Sequence, residues 1–112
     1  MSNFWRNKKI LVTGGNGFLG RHLVKKLLEK GIKKEDIFIP VFEKYDLRKM
    51  EDCRKAVAGQ DIIIHLAGVG GIERNRKHPG QAFYDNAAMA LNILEAARLE
   101  KTEKFVGIGS VC

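Results

Sequence analysis

Thr13-Gly14-Gly15-Asn16-Gly17-Phe18-Leu19-Gly20 is the stretch on which the fold of this chain turns. It follows the apolar run Ile10-Leu11-Val12 and opens onto Arg21-His22-Leu23-Val24-Lys25-Lys26-Leu27-Leu28, where apolar residues recur at helical spacing. Strand, glycine turn and helix, in that order, give a three-glycine motif its meaning. Gly14 permits a tight turn out of the strand. Gly17 has no Cβ, so a pyrophosphate can approach the backbone, and Gly20 lets the helix lie close to the strand. The first N–H groups of the helix and its positive dipole end would then face the phosphates. The same letters also fit a plain glycine-rich loop ahead of a helix.

Outward from this stretch the pattern alternates. It predicts strands over 9–13, 36–41, 61–66 and 104–109, and helices over 17–30, 48–58 and 80–100. Gly31 and Gly59 follow the first two helices, as stop signals. Asp46-Leu47 is expected to form a short extended piece, which would bring the count to about five strands. Ile62-Ile63-Ile64-His65-Leu66 is apolar almost throughout, as in a central parallel strand covered on both faces. Alternating elements imply right-handed crossovers and a parallel sheet between helices, an α/β doubly wound, Rossmann-like architecture. The 80–100 helix is apolar nearly all round, which calls for cover on a second side. With the two earlier crossover helices expected on one sheet face, this helix would hold the other face alone.

The bulk properties narrow the function classes. The 112 residues suit one domain at most. No run approaches the roughly 18 apolar residues needed to span a bilayer. No signal peptide is visible, and Cys53 and Cys112 lack metal-ligand spacing, so a reduced cytoplasmic setting and no metal are expected. The net charge of +7 is scattered over several elements rather than gathered on one face. That argues for a solvated surface and against a nucleic-acid partner.

Three further places carry candidate chemistry. Glu43 lies at about the distance past the glycines where an acid binds a ribose diol, with Lys44 of opposite sense beside it, so NAD and NADP both stay open. Asp46 and Leu47 could flank an adenine, and Asp46 could equally cap the following helix. Leu66, Ala67 and Gly68 close the central strand at its carboxyl end, where ligands of open parallel sheets lie. Within that strand His65 reads as a hydrogen-bonded core histidine. At the end of the chain Ser110 could hydrogen-bond a carbonyl, and Cys112 could transfer a proton if its thiol pKa were lowered.

Taken together, Thr13-Gly14-x-x-Gly17-x-x-Gly20, Asp46-Leu47, His65-Leu66-Ala67 and the pair Asn86 and Asn92 resemble the extended short-chain dehydrogenase/reductases, the sugar-nucleotide epimerases and dehydratases. Val69-Gly70-Gly71-Ile72, Pro79-Gly80 with Phe83-Tyr84-Asp85-Asn86, and Gly109-Ser110-Val111-Cys112 are similar to the GDP-L-fucose synthase branch, NADPH-dependent epimerase-reductases of a GDP-4-keto-6-deoxy sugar. The resemblance implies a pyrophosphate loop of Gly14, Gly17, Phe18, Leu19 and Gly20 and an adenine edge of Asp46 and Leu47. It places Leu66, Ala67 and Gly68 at the nicotinamide ribose, and makes Ser110 the keto-oxygen ligand and Cys112 the acid/base of epimerisation. The partner would be a nucleotide sugar. A homodimer would form through the 80–100 helix, with Leu91, Ile93 and Leu94 in the contact.

The departures are as informative. The family's Tyr-x-x-x-Lys lies beyond the serine, where this sequence stops. Tyr45-Asp46-Leu47-Arg48-Lys49 fits that spacing but precedes the serine and falls at the adenine end. Basic residues common in the family after the second strand are replaced by Val41 and Glu43. The expectation is therefore the amino-terminal cofactor-binding part of such an enzyme, residues 1–112, without its substrate domain and inactive alone. The alternative is a non-catalytic dinucleotide-binding module or sensor.

Overall fold

In the computed structural model, residues 7–15, 17–66 and 79–107 are described. Among them the strands β1 (Ile10–Thr13), β2 (Ile37–Phe38), β3 (Ile62–His65) and β4 (Lys104–Gly107) form one sheet in the order β2-β1-β3-β4. All neighbouring strands are parallel. The helices are α1 (Phe18–Glu29), α2 (Met50–Val57) and α3 (Pro79–Leu99). This is the doubly wound, Rossmann-like arrangement that the alternating pattern implies.

Strand residues alternate between two cores. Leu11 and Ile63 point to one face, where they meet Leu47, Cys53, Ala56, Val57, Met89, Ile93, Ala96 and Ala97 from α2, α3 and the turn before α2. Ile10, Val12, Ile62 and Ile64 point to the other and meet Leu23, Val24 and Leu27 of α1, with Ile32. Both central strands are buried throughout. Alternation of side chains across a pleated strand and burial on both faces together explain the unbroken apolar runs.

The division of helices differs from the expectation. Alone on its face is α1, not the helix over 80–100, and α2 shares the opposite face with α3. The reason is topological. The crossover from β1 to β2 runs one way along the sheet, whereas those from β2 to β3 and from β3 to β4 run the other way. A right-handed crossover that reverses its direction also changes face. The same geometry supplies the second cover that the apolar α3 calls for: α2 packs on its flank. Ile93, expected in a dimer contact, is fully buried in this core, while Leu91 and Leu94 are exposed.

Element ends follow local chemistry. At the end of α1, Gly31 takes φ +93 while Gly31 and Ile32 donate back to Leu28 and Leu27. That left-handed closure is the one glycine makes at least cost. The second strand is shorter than the predicted 36–41. A 3-10 turn over Lys34–Asp36 precedes it, and Pro40 just beyond it has no N–H to give a ladder. Asp46-Leu47 is a turn rather than a strand, so four strands stand among the described residues. At the sheet edge β4 is largely exposed.

Candidate dinucleotide site

The order β2-β1-β3-β4 puts the topological switch point between β1 and β3, since the chain leaves these two neighbours in opposite directions. In open parallel sheets the crevice at the carboxyl ends of such strands receives the ligand. Here those ends are Thr13 and His65, paired in register. Thr13 Oγ1 lies 2.7 Å from His65 Nδ1 and accepts the Leu66 N–H at 3.0 Å, and that N–H also reaches the Thr13 carbonyl. The Thr13 hydroxyl can then donate its own proton to Nδ1 of a neutral ring. Burial holds the His65 pKa below its ordinary value and favours that neutral form. His65 is thus the hydrogen-bonded core histidine that its place in the strand implies, and Leu66 sits directly above the switch point.

Beyond Thr13 the chain turns sharply. Gly14 has φ +75, and its carbonyl accepts the Gly17 N–H at 3.0 Å. Gly17 starts α1 in extended conformation with no side-chain cap, and no acidic residue occupies the first turn. The leading N–H groups of α1 therefore have no intrahelical acceptor and no competing carboxylate beside them. A Cβ on Gly20 would overlap the Gly14 carbonyl and lie 2.6 Å from the Gly15 Cα. Helix and turn can approach this closely only because Gly20 has no side chain. A Cβ on Gly17 would meet just the Gly14 carbonyl at 3.4 Å, an ordinary contact. Phe18 and Leu19 are exposed on the first turn. The Gly14–Gly17 turn thus lies directly against the uncapped start of α1.

The second wall is the turn between β2 and α2. Asp46 accepts from Arg48 three times: backbone N at 3.0 Å and Nε at 2.9 Å on Oδ1, and Nη2 at 2.9 Å on Oδ2. The hydrogen-bonded guanidinium holds the Asp46 carboxyl below its usual range. Asp46 is not a helix cap, since α2 begins at Met50 behind Lys49 with no side-chain cap bond. Its carboxylate is instead drawn two residues forward into a local turn with Arg48. From α2, Asp52 accepts the Asp46 N–H at 2.9 Å and Cys53 Sγ donates to the Leu47 carbonyl at 3.1 Å. Burial, with Asp52 and Asp46 adding to it, pushes the Cys53 thiol up to about 12, so it is inert packing rather than a nucleophile. From α3, Asn92 donates to the carbonyls of Leu47 and Arg48, and Asp85 lies 3.7 Å from the Arg48 guanidinium. The Arg48 guanidinium also lies over the Phe42 ring, 5.3 Å from its centre.

The remaining candidates are less gathered. Glu43 is exposed on the turn around residues 42–44. The side chain that meets the glycine turn after β2 is Ile39, within 3 Å of where a Gly15 Cβ would stand. Tyr45, of the Tyr-x-x-x-Lys look-alike, packs edge-on against Phe38 with ring centres 5.3 Å apart. Ala67, Gly68, Ser110 and Cys112 lie outside the described residues. Among the described residues, no group of His, Cys, Asp and Glu could hold a metal ion, and no helix is long and apolar enough to cross a membrane. Arg48, Asp85 and Asn92 escaped the sequence reading as parts of a site. For Asn92 the signal was a lone amide in the apolar 87–99 stretch.

A glycine turn at the head of α1, set against the switch point of a four-stranded parallel sheet, defines a Rossmann-like domain. The model of the NAD dependent epimerase/dehydratase family matches residues 10–112, and the chain belongs to that family. It is 32% identical over 124 residues to GDP-mannose 3,5-epimerase of Arabidopsis thaliana, covering 97% of this chain and 33% of that protein. It is 34% identical over 110 residues to GDP-L-fucose synthase of Azorhizobium caulinodans, covering 96% and 34%. A GDP-L-fucose synthetase from Naegleria fowleri bound to NADP superposes with a TM-score of 0.73 at 27% identity, over 91% of this chain and 31% of that one. The chain spans about a third of the length of the curated relatives it matches.

Proposed function

We propose that this chain is the NAD(P)-binding portion, residues 1–112, of a nucleotide-sugar epimerase/reductase similar to GDP-L-fucose synthase. The observation that carries the reading is the uncapped start of α1 behind the Gly14–Gly17 turn, placed at the switch point and closed by Gly20. The backbone there fits a pyrophosphate, held by the N–H groups of Phe18, Leu19 and Gly20. Asp46 and Leu47 border the adenine, Glu43 is the candidate for its ribose, and Leu66, Ala67 and Gly68 line the nicotinamide ribose. When bound, a reduced nicotinamide would supply the hydride that reduces the sugar ketone. Ser110 would hold the keto oxygen and Cys112 would move the protons of epimerisation.

Reduction of a ketone also needs a proton donor, a contribution of about 10²–10⁴-fold. Tyr45 is packed on Phe38 in the α2–α3 core and supplies none. With that look-alike tyrosine set aside, the reading is of a chain that binds the cofactor and by itself is inactive as a reductase. The relatives' names support a GDP-sugar substrate. The exposed Leu91 and Leu94 of α3 support pairing of two copies. Calorimetric titration with NAD and with NADP tests the proposal. Binding of at least one is expected, and silence with both, on folded protein, overturns it.

A further inference from the structure

Asn92 stands in the middle of α3, half-buried, where that helix meets the turn before α2. Its Nδ2 donates to the Arg48 carbonyl at 2.9 Å and to the Leu47 carbonyl at 3.3 Å. Carbonyl oxygens only accept, so the atom facing them has to be the amide nitrogen. One NH2 group on two successive carbonyls fixes the plane of the peptide that joins Leu47 to Arg48. Ties to this turn from α2 grip it at the Asp46 N–H and the Leu47 carbonyl. From α3, the Arg48–Asp85 ion pair is longer, at 3.7 Å, and engages the end of a flexible side chain. Asn92 anchors the turn backbone to α3 by hydrogen bonds of 2.9 and 3.3 Å.

We infer that Asn92 is a positioning residue for base recognition, holding the Asp46–Leu47 edge in the orientation that reads an adenine. The inference rests on the dinucleotide reading above and adds to it a group that touches no cofactor. Asp46 needs such help. Its carboxylate already accepts three bonds from Arg48, so a fourth donor, the exocyclic amine, has one narrow approach left. A hydrogen bond weakens steeply once its angle or distance drifts. Rotation of the 47–48 peptide would pull the Arg48 N–H off Asp46 Oδ1, freeing the acceptor to turn and shifting Leu47 beside it. An aspartate at position 92 would set a carboxylate against two carbonyls and reverse the effect.

The purified protein and its Asn92→Ala and Asn92→Gln variants are titrated calorimetrically with NAD, NADP and the hypoxanthine form of each, in which oxygen replaces the exocyclic amine. Wild type is expected to prefer the adenine forms by about tenfold, the worth of one hydrogen bond to a charged acceptor. In Asn92→Ala that preference should fall below about threefold, and Asn92→Gln, which keeps the donor on a longer arm, should recover part of it. Lost packing alone would weaken both base forms alike and leave their ratio unchanged. A second readout needs no variant: in wild-type 15N spectra the Asn92 side-chain resonances should shift with AMP and not with inosine monophosphate. Failure of wild type to bind any dinucleotide would sink the proposed function, and this inference with it. Binding without adenine preference, full preference retained in Asn92→Ala, or Asn92 resonances indifferent to AMP would overturn the inference and leave the function standing.

Discussion

Thr13 and His65, 52 positions apart, meet with 2.7 Å between hydroxyl and ring nitrogen at the point where β1 and β3 end together. The contact is fully sheltered on the Thr13 side and nearly so on the other. It ties the strand that feeds the glycine turn to the strand that leads into Leu66. The glycine turn and Leu66 thereby share one hydrogen-bonded anchor.

Stability should fall as pH drops below about 6.5. His65 has a folded pKa below its ordinary 6.5, so in that window the unfolded chain binds the extra proton. The slope from this one group should be no steeper than about 1.4 kcal/mol per pH unit. Thermal melts from pH 8 to pH 5 on wild type and His65→Gln will check it. The variant should lose less stability over that range. Parallel curves would show that His65 takes no part.

Gly17 and Gly20 should part company on mutation. Gly17→Val has room at Cβ, so its melting temperature should stay within a few degrees of wild type. Its cofactor affinity should drop by on the order of 2 kcal/mol or more as the branched side chain pushes the pyrophosphate away. Gly20→Ala drives a methyl into backbone that cannot step aside, at a cost of about 3 kcal/mol of stability. Melting curves together with calorimetry separate the two. Equal loss of stability in both would show that the turn is looser than its geometry indicates.

On α3, burial assigns opposite roles to neighbours. Ile93→Ala should cost about 2–4 kcal/mol of stability, because Ile93 is enclosed between sheet and α2. Leu91→Glu with Leu94→Glu should change stability by under about 1 kcal/mol and abolish self-association. Denaturant unfolding and sedimentation across a tenfold concentration range give the two readouts. An unchanged sedimentation coefficient in the double variant would place any pairing surface elsewhere.

Much of this architecture was legible in the sequence because its signals are local. Gly14, Gly17 and Gly20 sit where one turn and one helix start need them, and Ile62-Ile63-Ile64 needs only two covered faces. What stayed hidden depended on partners distant in the chain. Whether α1 or α3 stands alone on a face follows from crossover direction, which no single element reveals. Ile93 and Leu91 are equally apolar, and only the arrival of α2 buries one and leaves the other bare. Asp46 has the composition of a helix cap, yet Arg48, two residues on, captures it. Asn92 counts in the sequence only toward the family resemblance, and its bonding partners emerge once the turn 45 positions earlier is brought against it.

The parallel pairing of β1 with β3 has a consequence in time. Both cores are built on these two strands, and the chain must close a 52-residue span before they can touch. A parallel, non-local pairing of this kind is slow to nucleate, because the entropy of closure is lost before any contact repays it. On a ribosome, α1 and β2 therefore emerge with one flank of β1 still empty, and Leu11 has no Ile63 to sit beside. The first half of the sequence is a waiting state. Its apolar strand depends on the segment at Asp61 leaving the exit tunnel, and any chaperone that shields this polypeptide has its work to do before that moment.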